Sequence, residues 1–345
     1  MVSRSACALV VATAFSINVW TQKVSSSGTA PIHLPLTMTQ TADQTYKAAL
    51  QVGVGSLPPM AIGFDTGSVG LELFAVPGIP GNGTVCSTET ISISYGNPRR
   101  VTYSGVLCYG EIALAGVIST PRIPFGLLTS LTYCAPGYQC KTPHENFADG
   151  IYGVFGAGIS PAAVGLPNPL RTLPGAYGKR FMLRLKANTG EQSSLILAPH
   201  WHYDAAIFPQ FEETVGALNL PVYDKGKGCV LVNGKETGVC SFVSFDTGNG
   251  VPWLHVTVPN LPTVVGSNGV TYVAPGTTIG VVPRLGGTSA VSLVAGTTPS
   301  GEFRYTDQSS DLINVSIQAF LGNDVTYDGE QGVITVAPTS TEQAR

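Results

Sequence analysis

Two stretches of the chain close in the same way: Ala61-Ile62-Gly63-Phe64-Asp65-Thr66-Gly67-Ser68 and Phe242-Val243-Ser244-Phe245-Asp246-Thr247-Gly248-Asn249-Gly250. Each is an apolar, strand-like run ending on Phe-Asp-Thr-Gly, one in each half of the 345 residues. A lone Asp-Thr-Gly reads as an ordinary turn after a strand, because Asp and Gly both favour turns. Two copies with matching flanks imply more. They predict two related halves, each presenting one carboxyl group on a tight loop.

The rest of the chain fits an all-β frame built around those loops. Apolar residues make up 43%, enough for real cores, and charged residues only 11%. The 41 glycines and 25 prolines are spread along the chain, which favours many short strands joined by turns. Strand-like sequence runs from Ile32 to Phe64. Thr90 to Ile123 alternates like a long hairpin system, and Asp149 to Gly158 reads as a buried strand entering a Gly-rich turn. Pro167 to Gly178 is predicted as a short helix, and Phe181–Leu185 with Ser193–Leu197 as paired strands around Asn188-Thr189-Gly190. Strands resume from Leu218 and continue to Val336. The length accommodates two lobes, expected at 31–199 and 200–345. A net charge of −3 with no basic stripe argues against a nucleic-acid partner.

The N-terminus reads as an export signal: Arg4, an apolar stretch from Ala6 to Ala14 with Phe15 and Ile17 beyond, then small and polar residues from Ser25 to Ala30. That stretch is too short for a membrane span and is interrupted by Asn18. Residues 1–30 are therefore expected to be signal peptide and linker, and the mature chain to be secreted or held at the cell surface without a span. Cys7 lies inside the signal. The remaining cysteines, Cys86, Cys108, Cys134, Cys140, Cys229 and Cys240, are even in number, as in exported disulfide-bonded chains. Proximity along the chain points to Cys86–Cys108, Cys134–Cys140 and Cys229–Cys240, with other pairings open. No Cys-x-x-Cys or His/Cys cluster indicates zinc. His200-Trp201-His202 has no third ligand and reads as a surface loop, so neither metal nor cofactor is expected.

Taken together, the two Asp-Thr-Gly loops, Ser94-Tyr95-Gly96, Asp149-Gly150-Ile151-Tyr152-Gly153 and the stretch Asp324 to Pro338 resemble a pepsin-like aspartic peptidase over most of the chain beyond residue 40. The resemblance implies a bilobal acid-protease fold of two related β-barrel-like lobes with a cleft between them. It implies that Asp65 and Asp246 are the catalytic pair, supported by Thr66, Gly67, Ser68, Thr247, Gly248 and Asn249. Tyr95 and Gly96 would tip a flap that closes over a polypeptide substrate, with Tyr103 a second candidate for the flap tyrosine. The segments from Gly156 to Pro174 and from Ala274 to Val282 are similar to the aspartic-peptidase domains of mycobacterial PE-PGRS surface proteins. Both loops lie in one chain, so a monomer suffices.

The chemistry of such a pair follows from the residues. Two facing carboxyl groups that share a proton can activate water with no metal and no covalent nucleophile. The charged one takes a proton from water, and the neutral one donates to the carbonyl oxygen. Three positions depart from the resemblance. Asn249 follows the second triad where the family has Ser or Thr, Glu72 stands where most pepsins carry a Trp, and Asn314 follows Leu312-Ile313 where a Gly is usual. These departures motivate the alternative expectation of a catalytically silent homologue that binds protein or glycan. Asn82-Gly83-Thr84 and Asn314-Val315-Ser316 also match the glycan-acceptor pattern, the latter within a buried strand.

Overall fold

The computed structural model describes residues 29–41, 44–96, 100–138, 140–143, 150–162, 164–187, 190–200, 205–287, 290–297, 301–307 and 310–339. The export-like stretch before residue 29, Asp149, Asn188-Thr189 and Trp201-His202 lie outside the described residues. Within them the chain is almost entirely β, gathered into a fifteen-stranded sheet, a nine-stranded sheet and a small separate ribbon.

In the first half the Met60–Asp65 strand carries the sequence into the first loop. Its alternation is that of a strand with one face in the core: Ile62 and Phe64 are buried, with Ala61 and Gly63 less so. The next strand, Val69–Phe74, is buried along its whole length. A later strand, Gly153–Ala157, inserts between these two. It runs parallel to the first, Phe155 opposite Phe64, and antiparallel to the second, Phe155 opposite Leu71. The loop from Asp65 to Ser68 is thus held from both flanks by backbone pairing that neither of its own strands could supply.

The second half repeats the device. The Lys235–Ser244 strand leads into the second loop, and Leu312–Asn314 inserts between it and Trp253–His255. Ile313 lies parallel to Val243 on one side and antiparallel to Leu254 on the other. The internal symmetry heard in the two sequence copies is therefore also a symmetry of strand order.

Strands from both ends of the chain join the halves. The Asn323–Asp328 and Val333–Pro338 hairpin pairs with Arg180–Arg184, which pairs with Ser193–Leu197, which pairs with Ile32–Gln40. Arg184 reaches the buried Asp324 carboxylate through two nitrogens at 3.0 and 2.6 Å, and Arg180 bonds the buried Asp328 at 3.0 Å. Aromatic side chains tie this sheet to the loops. Phe64 stacks on Phe155 at 5.5 Å and meets Phe181 edge-on, and Phe181 stacks on Tyr327 at 4.8 Å. Phe245 packs edge-on against Phe208 and Phe320. One continuous core runs through both halves, and a satellite cluster of Phe74, Ile91, Ile93, Tyr103 and Leu166 lies under the Val85–Tyr95 hairpin.

The expected hairpin of the first half is present: Val85–Tyr95 pairs with Val101–Gly110, Tyr95 opposite Val101. The short helix expected near Pro167 to Gly178 is instead two 3₁₀ turns, Pro169–Thr172 and Gly175–Gly178. Pro174 and two glycines break the stretch before an α-helix can propagate. Among the described residues the disulfides are Cys86–Cys108, Cys134–Cys140 and Cys229–Cys240. No helix among the described residues is long and apolar enough to cross a membrane.

Candidate active site

Folding brings the two Asp-Thr-Gly loops face to face. The Thr66 backbone N–H donates to Thr247 Oγ1 at 3.0 Å, and the Thr247 N–H returns the bond to Thr66 Oγ1 at 3.1 Å. Each hydroxyl then donates to a carbonyl across the pair: Thr66 to Phe245 at 2.8 Å, and Thr247 to Phe64 at 2.7 Å. Both threonines are buried, so these four reciprocal bonds form away from water, where leaving one unmade is costly.

This grip sets the carboxyl groups against one another. Each carboxyl group packs against the glycine of the opposite loop. Gly67 sits over Asp246 and Gly248 over Asp65. A Cβ placed on either glycine would fall 2.4 Å from the opposing carboxyl carbon. No side chain fits there, which is the physical reason both triads end on glycine.

The donors around each carboxylate can be counted. Asp65 receives the Gly67 N–H at 2.7 Å on Oδ1 and the Ser68 hydroxyl at 2.7 Å on Oδ2. Asp246 receives the Gly248 and Asn249 N–H groups on Oδ1 at 2.9 and 3.1 Å. Its Oδ2 receives the Asn314 amide at 2.8 Å. Asn249 contributes only its backbone to Asp246; its side-chain oxygen accepts from the Val251 N–H at 3.4 Å. Burial and then the charge of Asp246 push the Asp65 carboxyl up to about 7, against the opposing pull of Ser68 and Gly67.

Two further groups stand outside the loops. Lys47, on the Tyr46–Val54 strand, donates its ammonium to the Gly248 carbonyl and so braces the second loop from the first half. Glu72, on the Val69–Phe74 strand, is 3% exposed and accepts a long bond of 3.4 Å from the Tyr95 hydroxyl. Burial first, and the charge of Asp65 second, hold the Glu72 carboxyl well above the usual carboxylate range. The same apolar setting, with Glu72 and Asp65 near, raises the Tyr95 hydroxyl well above its ordinary value.

Tyr95 therefore stands at the end of its hairpin and in the electrostatic field of the pair, with Gly96 in the left-handed conformation beside it. Tyr103 does not share that position. It is buried in the satellite core, packs edge-on against Phe74 and Tyr95, and donates to the Lys141 carbonyl at 2.9 Å. Lys47 carries no motif of its own. Asn314 is half-buried at the end of the inserted strand, at the register position that Val154 holds in the first half, and its signal in the sequence was its departure from the usual Gly.

No protein-family model matches the chain, and no curated protein matches its sequence. Among solved structures, it is similar to the crystal structure of aspartic proteinase from Irpex lacteus, with a TM-score of 0.60 at 15% identity over 91% of this chain and 99% of that one. At that identity the likeness concerns architecture: the chain has the all-β, bilobal fold of the pepsin-like aspartic proteinases.

Proposed function

We propose that the chain is an aspartic endopeptidase that hydrolyses peptide bonds by water activated between Asp65 and Asp246. One observation carries the reading: the two carboxyl groups meet across a reciprocal threonine grip, each with a glycine of the opposite loop packed against it. A chance pair of turns would have no reason to be glycine-lined on both sides and cross-bonded in both directions.

The uneven donor sets support a division of labour. Asp65, raised to about 7, holds the shared proton, and the three donors on Asp246 favour a negative charge there. In that state Asp246 takes a proton from the water as its oxygen attacks the carbonyl carbon, and Asp65 gives its proton to the carbonyl oxygen. The tetrahedral diol then collapses with cleavage of the C–N bond, the departing nitrogen taking a proton from the pair. An extended polypeptide would lie between the lobes under the Tyr95–Gly96 hairpin tip. The three disulfides support an exported chain working in an oxidising compartment. The similarity to PE-PGRS peptidase domains rests on sequence texture and is part of the same proposal.

The test is hydrolysis of an unfolded protein substrate between about pH 3 and pH 7, the range over which carboxylate pairs operate. Asp65→Asn and Asp246→Asn are each expected to lower turnover on the order of 10²–10⁴-fold, the contribution of a positioned acid or base. A statine-type mimic of the tetrahedral diol should inhibit the parent. Near-parental turnover by either Asn variant would overturn the mechanism.

A further inference from the structure

Two of the departures from the family pattern, Asn249 and Asn314, become one when their contacts are followed. On the first loop the residue three positions after the aspartate, Ser68, donates by its side chain to Oδ2 at 2.7 Å. On the second loop the residue at that position is Asn249, whose side chain turns away to the Val251 N–H. The vacated role is filled from the inserted strand, where the Asn314 amide donates to Asp246 Oδ2 at 2.8 Å. The orientation of that amide is determined by its other end, since Asn314 Oδ1 accepts from the Ser316 N–H at 2.9 Å. Reversing it would aim an oxygen at a carboxylate and a nitrogen at a donor.

We propose that Asn314 is a positioning residue for the reaction, supplying to Asp246 the side-chain donor that Ser68 supplies to Asp65, and that its presence is what allows Asn at position 249. The proposal rests on the peptidase reading above. It recasts two apparent defects as a relocation of one hydrogen-bond donor from the loop to the strand behind it. The consequence is chemical. A donor on the outer oxygen stabilises the charged form of Asp246 and holds its carboxylate plane toward Asp65.

The experiment compares the parent, Asn314→Ala and the double variant Asn249→Ser/Asn314→Ala. Asn314→Ala should lower kcat roughly ten- to a hundredfold with KM little changed, the size expected for one lost charge-assisted hydrogen bond. Its acid limb of kcat/KM should move to higher pH, because the anionic form of the pair has lost a donor. Adding Asn249→Ser recreates the Ser68 arrangement on the second loop and should restore both rate and acid limb. The other titratable groups around the pair, Glu72 and Tyr95 at the hairpin side, Lys47 at the Gly248 carbonyl and Tyr327 behind Phe245, are unaltered in every variant. Asn314→Ala also removes the acceptor for the Ser316 N–H, so thermal unfolding is measured alongside. If that variant does not fold, Asn314→Ser keeps an oxygen for this turn while withdrawing the donor from Asp246.

A second readout needs no turnover. In a ¹³C-carboxyl titration of the pair, the lower apparent pKa should rise in Asn314→Ala and fall back in the double variant. Were the parent to cleave no peptide, the peptidase reading would fail while this titration still decided the role of Asn314. Parental rates and an unmoved titration in Asn314→Ala, or no recovery on adding Asn249→Ser, would overturn the proposal.

Discussion

Asp65 and Asp246 have the same neighbours in sequence and different neighbours in space. Asp65 is bonded by one backbone and one hydroxyl donor, Asp246 by two backbone donors and an amide. That asymmetry predicts a pH dependence of stability as well as of rate. A carboxyl raised from 3.8 to about 7 binds its proton more tightly in the folded state than in the unfolded one. Its contribution to stability is therefore fully present below pH 3.8 and is lost as pH rises through about 7. Asp65→Asn cannot ionise, so it should raise Tm above neutral pH by a few degrees, with the gain shrinking toward pH 4. Scanning calorimetry of both proteins across that range checks the sign. A Tm difference that grew on acidification would contradict the assignment. Catalytic rate in the parent should fall over the same upper limb, as the shared proton is lost.

Among the elements, the hairpin of Val85–Tyr95 and Val101–Gly110 was legible in sequence from its alternation and its Tyr-Gly tip, and the disulfide between Cys86 and Cys108 joins its two strands. The resemblance set Glu72 where the family has a residue that steadies the flap tyrosine, but the bond between Glu72 and Tyr95 was not legible. Glu72 sits in a strand that is buried at every position, where a carboxyl group has no business by composition alone. It is tolerated because burial and the charge of Asp65 favour its neutral form and because it accepts from Tyr95. A neutral buried carboxyl is stabilising at low pH, and that contribution fades as pH climbs above the ordinary carboxylate range. Glu72→Gln keeps an acceptor for the Tyr95 hydroxyl and removes the titration. It should keep the proposed peptidase activity within a few fold, and its unfolding free energy should fall less steeply than the parent's as pH rises above 4.5. Denaturant melts above that pH make the comparison, and parallel slopes would show that Glu72 does not titrate with folding.

Across the whole molecule, the site exists only because two distant loops are bonded to each other. The bonds at Thr66 and Thr247 are buried and reciprocal, so their loss should be felt in both stability and chemistry. Thr247→Val keeps the shape and removes the acceptor for the Thr66 N–H and the donor to the Phe64 carbonyl. With each unmade buried bond costing about 1–3 kcal/mol, the expected loss is about 2–6 kcal/mol, with a parallel loss of turnover. Thr247→Ser, which keeps the hydroxyl, should stay close to the parent. Urea unfolding of the three proteins measures the difference, and a Val variant as stable as the Ser variant would mean the grip contributes little.

The chain announced its fold through local and repeated features: a pair of Phe-Asp-Thr-Gly loops, period-two alternation, turn-rich spacing and closely spaced cysteines. These are legible because strand periodicity and turn chemistry act over a few residues. The inserted strands, the donor set of each carboxylate, the Lys47 brace and the Glu72–Tyr95 contact are relations between residues far apart in sequence. Asn314 and Asp246 share no pattern along the chain, and only the packing of Leu312–Asn314 beside Lys235–Ser244 makes them neighbours. Sequence named the candidate pair, Asp65 and Asp246; tertiary structure decided which groups meet, because a hydrogen bond depends on distance in space and takes no account of distance along the backbone.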